Sequence, residues 1–172
     1  MSSGEICNCS ISIPPDSTAG IPNEFIRDSN HCDCNAPACD AVLASLPDFF
    51  GLQSGIDACA AAVRSEPGYV ADDGGEVIGF LTVERPFENC AEISWMAVQR
   101  ERRASGIGTA LIEKLAADER RAGTQLLLVM TSGDADEYVP TRAFYRARGF
   151  LPAKTFPGWW EGDLPLLLVR PL

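Results

Sequence analysis

The most constraining feature of this sequence is residues 92–111, EISWMAVQRERRASGIGTAL, where a buried strand gives way to an amphipathic helix. Its first part has strand character, and apolar side chains recur at helical spacing from Ile107 onward. Gly106 and Gly108 lie at the junction, with Arg103 just before them. The free N–H groups and the dipole of a helix's first turn favour an anion. The stretch therefore predicts a phosphate-binding turn.

Hydrophobic periodicity divides the rest of the chain into short strands and helices. The predicted strands cover residues 29–34, 68–71, 76–83, 92–98, 125–131, 150–156 and 164–170, and the predicted helices cover 39–50, 54–65, 106–122 and 140–148. Alternation along the fourth strand places side chains on two faces, with Glu92, Ser94, Met96 and Val98 on one and Ile93, Trp95 and Ala97 on the other.

This order of elements, an antiparallel meander followed by β-α-β units, predicts an α/β (α+β) fold. The expected core is a mixed, mainly antiparallel central sheet of roughly six to seven strands, flanked by about four helices. No linker interrupts residues 29–172, which we predict to form a single domain. Residues 1–28 are predicted to be an irregular N-terminal extension, because their prolines prevent a continuous helix.

The net charge of −10 over 172 residues limits the classes of partner. Nucleic-acid-binding surfaces need clustered Lys and Arg, so no nucleic-acid partner is expected. An acidic protein suits a cationic substrate, although the charge also simply favours solubility. Within this acidic chain, residues 99–121 are locally basic, with six basic and four acidic side chains around the predicted phosphate-binding turn.

The absence of a recognisable signal peptide and of any apolar run near the ~20 residues of a membrane span predicts a cytoplasmic protein with no membrane partner. An odd number of cysteines, seven, favours reduced thiols. Cys59 and Cys90 suit small core residues.

A cysteine-rich group near the N-terminus has spacing that superficially suits metal ligands. Its members are Cys7, Cys9, His31, Cys32, Cys34 and Cys39. Cys-x-Cys is tighter than the usual zinc hook, so we expect no metal, with a zinc site as the alternative.

Two motifs together resemble those of a known family. RASGIG, residues 103–108, fits the pattern R/Q-x-x-G-x-G/A, and it follows a hydrophobic strand and opens a helix. AFYRARGF, residues 143–150, carries an aromatic-Tyr pair on a short helix that a Gly-Phe pair ends. In these motifs and in element order, residues 31–172 resemble the GNAT superfamily of acyl-CoA-dependent N-acetyltransferases. Ala104 departs from the glycine of many members, and Tyr138 stands where some have a coenzyme-contacting Asn.

The resemblance implies a GNAT-like acyl-CoA N-acyltransferase fold, with acetyl-CoA as cosubstrate. Its pyrophosphate would lie on backbone N–H groups of the turn, where a Cβ on either glycine would hold it away. The pantetheine arm would pair with the backbone of residues 96 and 98, where this strand splays from the 125–131 strand. The predicted cofactor-binding residues are Met96, Ala97, Val98, Arg103, Ala104, Ser105, Gly106, Ile107, Gly108 and Thr109. A glycine-containing turn that binds nothing is the structural alternative.

Amide formation requires an ammonium to lose a proton and the departing thiolate to gain one. The resemblance places Tyr145 beside the thioester sulfur as the acid, and a phenol pKa near ~10 suits protonation of a thiolate whose thiol has a pKa near ~8.5. Glu92 is the candidate base by its offset from Arg103, which matches the histone-acetylating branch of the family; Glu84 or a water chain is the alternative. The alternative to an acid role for Tyr145 is a tyrosine that only packs under the last helix. The alternative to a base role for Glu92 or Glu84 is a solvated or salt-bridged glutamate.

The acceptor is expected to be a primary amine on a small molecule or a peptide. Trp159 and Trp160, with Glu161, lie on the loop between the last two strands, which borders the acceptor site in this fold. Aromatic rings and carboxylates suit a cation. Phe50 is expected on the opposite wall. The alternative for the two tryptophans is a hydrophobic plug over the sheet edge, and the alternative for Phe50 is a position in the core.

The sequence thus predicts an N-acetyltransferase that transfers the acetyl group of acetyl-CoA to a primary amine. Direct attack in a ternary complex is expected, since no cysteine falls within the two motifs. One alternative is a non-catalytic module of the same fold that binds acyl-CoA as a sensor, and another is a metal-dependent protein centred on the N-terminal cysteines. The amine, the acyl-chain preference and the oligomeric state stay open, with a homodimer among the options.

Overall fold

The computed structural model describes residues 26–28, 35–46, 53–160 and 162–172. Within these ranges, seven strands form one sheet: β1 (Ile26–Asp28), β2 (Gly68–Asp73), β3 (Glu76–Phe87), β4 (Cys90–Val98), β5 (Leu126–Ser132), β6 (Leu151–Thr155) and β7 (Pro165–Pro171). The described α-helices are α1 (Ala36–Ala44), α2 (Gln53–Ser65), α3 (Ile107–Ala122) and α4 (Val139–Arg146). The predicted mixed α/β architecture is confirmed.

The strand order across the sheet is β1-β2-β3-β4-β5-β7-β6. Every neighbouring pair is antiparallel except β4 and β5, which run parallel because α3 returns the chain between them. The sheet begins at Ile26, ahead of the domain boundary predicted at residue 29. The first strand was predicted at 29–34, which lies outside the described residues.

Element boundaries follow pairing and packing more closely than the sequence pattern does. Helix α1 begins at Ala36, earlier than predicted, with a proline in its first turn where no N–H donor is needed. Strand β3 continues to Phe87, past the predicted end at residue 83, because it pairs with β4 as far as Cys90. Helix α3 ends at Ala122, the predicted last residue, and Gly123 follows it as a left-handed C-cap with a φ of 87°.

The β4–β5 pairing is short. It joins residues 90–93 to residues 126–129, after which β5 continues against β7. The later part of β4 pairs with β3 on one side only, and no described strand occupies its other side. The two parallel strands therefore open into a wedge beyond Ile93.

A β-bulge at Ser94 overturns the predicted division of β4 between two faces. Thr82 pairs with Trp95 and Val83 pairs with Ile93, so one extra residue lies between them. The extra residue reverses the alternation. Ile93, Met96 and Val98 consequently contact the core under α3, whereas Trp95 and Ala97 contact the core under α1 and α2. The prediction that Glu92, Ser94, Met96 and Val98 share a face is wrong for this reason.

Both faces of the sheet are covered. On one, apolar residues of α3 at four-residue spacing, such as Leu111 and Leu115, are fully buried against the sheet. On the other, α1 and α2 enclose a smaller core that includes Phe80 and the predicted core residue Cys59. Cys90 is buried as well. Measured against the length and apolarity that a bilayer crossing demands, every helix in the described ranges falls short.

Replacing Leu168 on β7 tests the packing of the α3 core. Leu168 is 0% exposed, so Leu168→Ala should lower the free energy of unfolding by about 2–5 kcal/mol through lost burial and a residual cavity. Leu151→Ala on the adjacent strand β6 removes the same atoms from a side chain that is 63% exposed. It should change stability by less than ~0.5 kcal/mol. Equal losses in urea denaturation would contradict this packing.

Candidate functional site

A cavity of about 410 Å³ lies beside the part of β4 that has separated from β5. Its walls are the end of β4, the turn and first residues of α3, and one side of α4. The lining residues are Leu46, Met96, Ala97, Val98, Arg102, Arg103, Ala104, Gly106, Ile107, Gly108, Thr109, Pro140, Thr141, Phe144, Tyr145 and Arg148.

Nearly all residues predicted to bind the cofactor line this one cavity, although they come from a strand, a turn and a helix. Ser105 does not line it; its hydroxyl donates to the carbonyl of Arg102 at 2.5 Å, inside the turn. Tyr145 lines the cavity from α4. Glu84, Glu92, Trp159 and Trp160 do not line this cavity.

The turn before α3 depends on unusual backbone geometry. Gly106 has a φ of 92°, which glycine adopts without the steric cost that a Cβ brings. Ala104 has a φ of 61°, so it holds a left-handed conformation despite its methyl group. Gly108 has a different requirement. A Cβ there would lie 3.0 Å from Cζ of Phe144, so the absent side chain lets α4 approach α3.

The first turn of α3 offers donors and positive potential. Its N-cap is Gly106, which forms no side-chain capping bond, and the first N–H groups of a helix have no acceptor within the helix. The dipole of the 16-residue helix α3 adds partial positive charge at this end. Arg102, which pairs with Asp73 at 3.1 Å, and Arg103 extend this positive region along the turn. The arrangement can bind an anion.

Tyr145 is held rigidly at the inner side of α4. Its ring makes edge-on contacts with Phe144 and Phe150, each at 5.3 Å between centroids, and the residue is only 5% exposed. Burial raises the pKa of Tyr145 far above that of a free phenol. The hydroxyl therefore stays protonated at neutral pH and can donate a proton but not accept one as a phenolate.

The family model for the acetyltransferase (GNAT) domain matches residues 64–152, just over half of the chain. The chain belongs to the GNAT acetyltransferase family. The matched segment runs from the end of α2 through α4 and contains the whole cavity except Leu46. A comparison with curated protein sequences finds no match.

Several solved structures of acetyltransferases share this fold. A GNAT-family protein from Desulfovibrio desulfuricans is 24% identical, with a TM-score of 0.76 over 85% of this chain and 97% of that one. The ribosomal-protein-S18-alanine N-acetyltransferase from Escherichia coli is 16% identical, with a TM-score of 0.68 over 85% and 93%. An aminoglycoside 6'-N-acetyltransferase complexed with coenzyme A is 16% identical, with a TM-score of 0.66 over 85% and 96%. At these identities the likeness shows a common fold.

Three carboxylates gather at the start of β4 in this GNAT domain. Glu84 on β3 is the pairing partner of Glu92 on β4. Burial, followed by the charge of Glu84, raises the pKa of Glu92. Glu84 is exposed at its surface, and partial desolvation, followed by the charge of Glu66 and a hydrogen bond with it, raises its pKa. Glu66 also accepts a hydrogen bond from the hydroxyl of Ser94, the bulged residue.

The β6–β7 loop is fixed at its base. Asp163 accepts a hydrogen bond from the Ser132 hydroxyl at 2.6 Å, which ties the loop to the end of β5. Trp159 is 66% exposed and stacks on Phe156 at 4.5 Å, and Trp160 is 42% exposed. Neither ring covers the sheet as a buried plug. Glu161 and Phe50 lie outside the described residues.

Sequence reasoning missed several members of this site. Glu66 follows α2 without any pattern that marks it, and only the tertiary fold brings it to Glu84. Arg148 lies in the second motif, four residues after Phe144, and helical spacing could have indicated that these two side chains meet. The metal alternative involves Cys7, Cys9, His31, Cys32 and Cys34, which lie outside the described residues. Cys39, also among its residues, is buried in the core under α1 and α2.

The raised pKa of Glu92 makes a prediction about stability. The folded protein retains this proton at higher pH than the unfolded chain, so the associated stability is present below the usual pKa of 4.5 and is lost as pH rises through the folded pKa. Glu92→Gln removes the desolvated charge. The variant should have a higher free energy of unfolding than wild type at neutral pH, and the difference should vanish in acid.

Urea unfolding at neutral and acidic pH measures this effect. Glu88→Gln on the exposed β3–β4 turn is the matched control, since it removes an equal charge from a solvated position. It should change stability by less than ~0.5 kcal/mol. Lower stability of Glu92→Gln at neutral pH would contradict the desolvation of Glu92.

Proposed function

We propose that this GNAT protein is an N-acetyltransferase that transfers the acetyl group of acetyl-CoA to a primary amine. The observation that carries the proposal is the convergence on one cavity of three features: the first turn of α3, the unpaired side of β4, and Tyr145, whose phenol is protonated at neutral pH. Each feature suits a different part of an acyl-CoA molecule.

The pyrophosphate of acetyl-CoA would bind the first turn of α3. Backbone N–H groups of residues 107–109 and the helix dipole suit an anion, and Gly106 leaves open space because nothing lies within 4 Å of its hypothetical Cβ. Arg103 and the hydroxyl of Thr109 would add donors. Ala104, Ser105 and Ile107 would contribute through the backbone of the turn.

The pantetheine arm would lie along β4 beyond Ile93. On this side the strand has no described partner, so the backbone groups of Met96 and Val98, which face away from β3, are available to the amides of the arm in the manner of an added strand, with Ala97 between them. The wedge between β4 and β5 would then direct the thioester toward the interior of the sheet, near Tyr145.

The reaction would be direct attack of the neutral amine nitrogen on the thioester carbonyl carbon. The new C–N bond forms, the C–S bond breaks, and one proton passes in net terms from the amine to the thiolate. Tyr145 would protonate the sulfur, because its buried phenol carries its proton at working pH; the same burial raises its pKa and makes it a weaker acid than a free phenol, so it matches a thiol less closely than its usual pKa suggests. None of the described cavity residues is a cysteine, which supports a ternary complex over an acetyl-cysteine intermediate.

The proton of the ammonium would pass to a carboxylate at the start of β4. Glu92 is the first candidate and Glu84 the second, each acting directly or through water. Their raised pKa values bring them closer to working pH than a solvated glutamate, which favours proton acceptance. Glu66 would support this role by sharing a hydrogen bond with Glu84.

The acceptor would be a small molecule or a peptide with a cationic amine. Two similar structures carry names that specify N-acetylation, of a ribosomal-protein alanine and of an aminoglycoside, which supports a nitrogen acceptor here. Trp159 and Trp160 expose aromatic surface suited to a cation, and Glu161 and Phe50 are proposed to complete the walls.

The direct test is an acceptor screen with detection of released CoA thiol. Acetyl-CoA is offered with aminoglycosides, polyamines, amino acids and peptides in turn. Acetylation of at least one amine is expected. Tight CoA binding without acetylation of any amine would instead indicate a non-catalytic acyl-CoA-binding module.

Tyr145→Phe tests the acid. The variant retains the ring and its aromatic contacts but has no proton to donate, so kcat with a reactive amine should fall by about 10²- to 10⁴-fold while CoA affinity is retained. Tyr69→Phe removes another phenol, one that donates to Asp118 at 2.8 Å, and should leave kcat unchanged. Undiminished acetylation by Tyr145→Phe would contradict the assignment.

The pH profile tests the base. Wild-type kcat/KM should rise with pH through the raised pKa of the carboxylate, because only its ionised form accepts the proton. Glu92→Gln should remove this limb and lower kcat/KM by about 10²- to 10⁴-fold at neutral pH. An unchanged profile in Glu92→Gln, with loss of the limb in Glu84→Gln, would transfer the role to Glu84.

A further inference from the structure

Arg148 connects the two helices that border the cavity. It lies two residues beyond Arg146, the last residue of α4, and its guanidinium reaches across to Thr109 in the first turn of α3. Nε donates to Oγ1 of Thr109 at 2.8 Å, Nη2 donates to the same oxygen, and Nη1 donates to the Phe144 carbonyl at 2.6 Å. The group also stacks on the Phe144 ring, with Cζ 3.5 Å from the ring centroid. These contacts fix the guanidinium at the cavity wall.

The guanidinium retains unused donors. Arginine has five N–H bonds, and the three hydrogen bonds of Arg148 occupy three of them. Two N–H bonds, one on each terminal nitrogen, have no acceptor among the described residues. Since Oγ1 of Thr109 acts as the acceptor toward Arg148, its own O–H proton is also available for donation.

The positive charge of Arg148 is not neutralised by a direct partner. Its hydrogen-bond acceptors are a hydroxyl and a carbonyl, and no carboxylate in the described ranges lies within salt-bridge distance. Glu113, a carboxylate whose charge acts on Arg148, accepts two hydrogen bonds from Arg170, at 2.8 and 3.1 Å. Burial lowers the pKa of Arg148, which reflects the cost of desolvating its charge. A partly desolvated cation with spare donors gains most from an anionic ligand.

We propose that Arg148 and Thr109 form an anion subsite that binds a phosphate group in the nucleotide part of the acyl donor. The inference rests on the proposed function and adds a residue outside the α3 turn. The phosphate would contact the two spare N–H groups of Arg148 and the hydroxyl of Thr109. Bound in this way, it would join α4 to α3 and select nucleotide-bearing thioesters over simple pantetheine thioesters.

The test compares donors with and without the nucleotide. Arg148→Gln should raise the Kd for CoA by about 10- to 100-fold, the usual value of charge-assisted hydrogen bonds, and raise KM for acetyl-CoA similarly. It should leave kcat/KM for acetyl-pantetheine within about 3-fold of wild type, since that donor has no phosphate to lose contact with. Arg146→Gln, which removes an equal charge from the exposed last residue of α4, should match wild type with both donors.

Acetyl-dephospho-CoA separates the two sources of phosphate. If the effect of Arg148→Gln disappears with this donor, the subsite binds the 3'-phosphate; if the effect persists, it binds the pyrophosphate. Arg148→Lys retains the charge and stem without the planar fork, and an intermediate loss is expected. If Arg148→Gln does not fold, the same donor comparison with Arg148→Lys decides.

Two results would overturn the subsite while leaving the proposed function intact. One is wild-type affinity for CoA in Arg148→Gln. The other is an equal loss with acetyl-CoA and acetyl-pantetheine, which would mean that Arg148 only positions α4. Wild-type protein that neither binds CoA nor acetylates any amine would overturn the proposed function, and the subsite with it.

Discussion

Strands β4 and β5 pair over residues 90–93 and 126–129 and then separate, and the cavity depends on that separation. The bulge at Ser94 falls just where the pairing with β5 ends, so β4 loses one of its two neighbours and reverses the faces of its side chains within two residues, while its pairing with β3 continues. Beyond the bulge, the strand presents an unpaired side to the cavity. An uninterrupted parallel pair would have closed the wedge with main-chain hydrogen bonds.

Helix α4 completes the cavity through contacts with α3 that leave little freedom. Gly108 provides the space that the Phe144 ring occupies, and Arg148 joins Thr109 to the same aromatic residue. Tyr145 shares this short helix, so its hydroxyl is positioned by contacts made on both sides of it. The position of one candidate catalytic group thus depends on the turn proposed to bind phosphate.

The site has a marked division of charge. Arg102, Arg103 and Arg148 line the cavity at the start of α3, whereas Glu66, Glu84 and Glu92 lie together at the start of β4. A protein of net charge −10 therefore retains a local cationic region for an anionic donor. The proposed cationic acceptor would approach these carboxylates, and burial and neighbouring negative charge raise the pKa values of Glu92 and Glu84.

Local interactions explain what the sequence alone determined. The strand–turn–helix at 92–111, the left-handed cap at Gly123 and the AFYRARGF helix follow from residue spacing, helix capping and glycine geometry, and so the GNAT fold was predictable. Tertiary structure alone decided the bulge at Ser94, because its register is set by pairing with β3. It also brought Glu66 to Glu84 and Arg148 to Thr109. These contacts join residues 18 and 39 positions apart, and no local pattern encodes which distant side chains will meet.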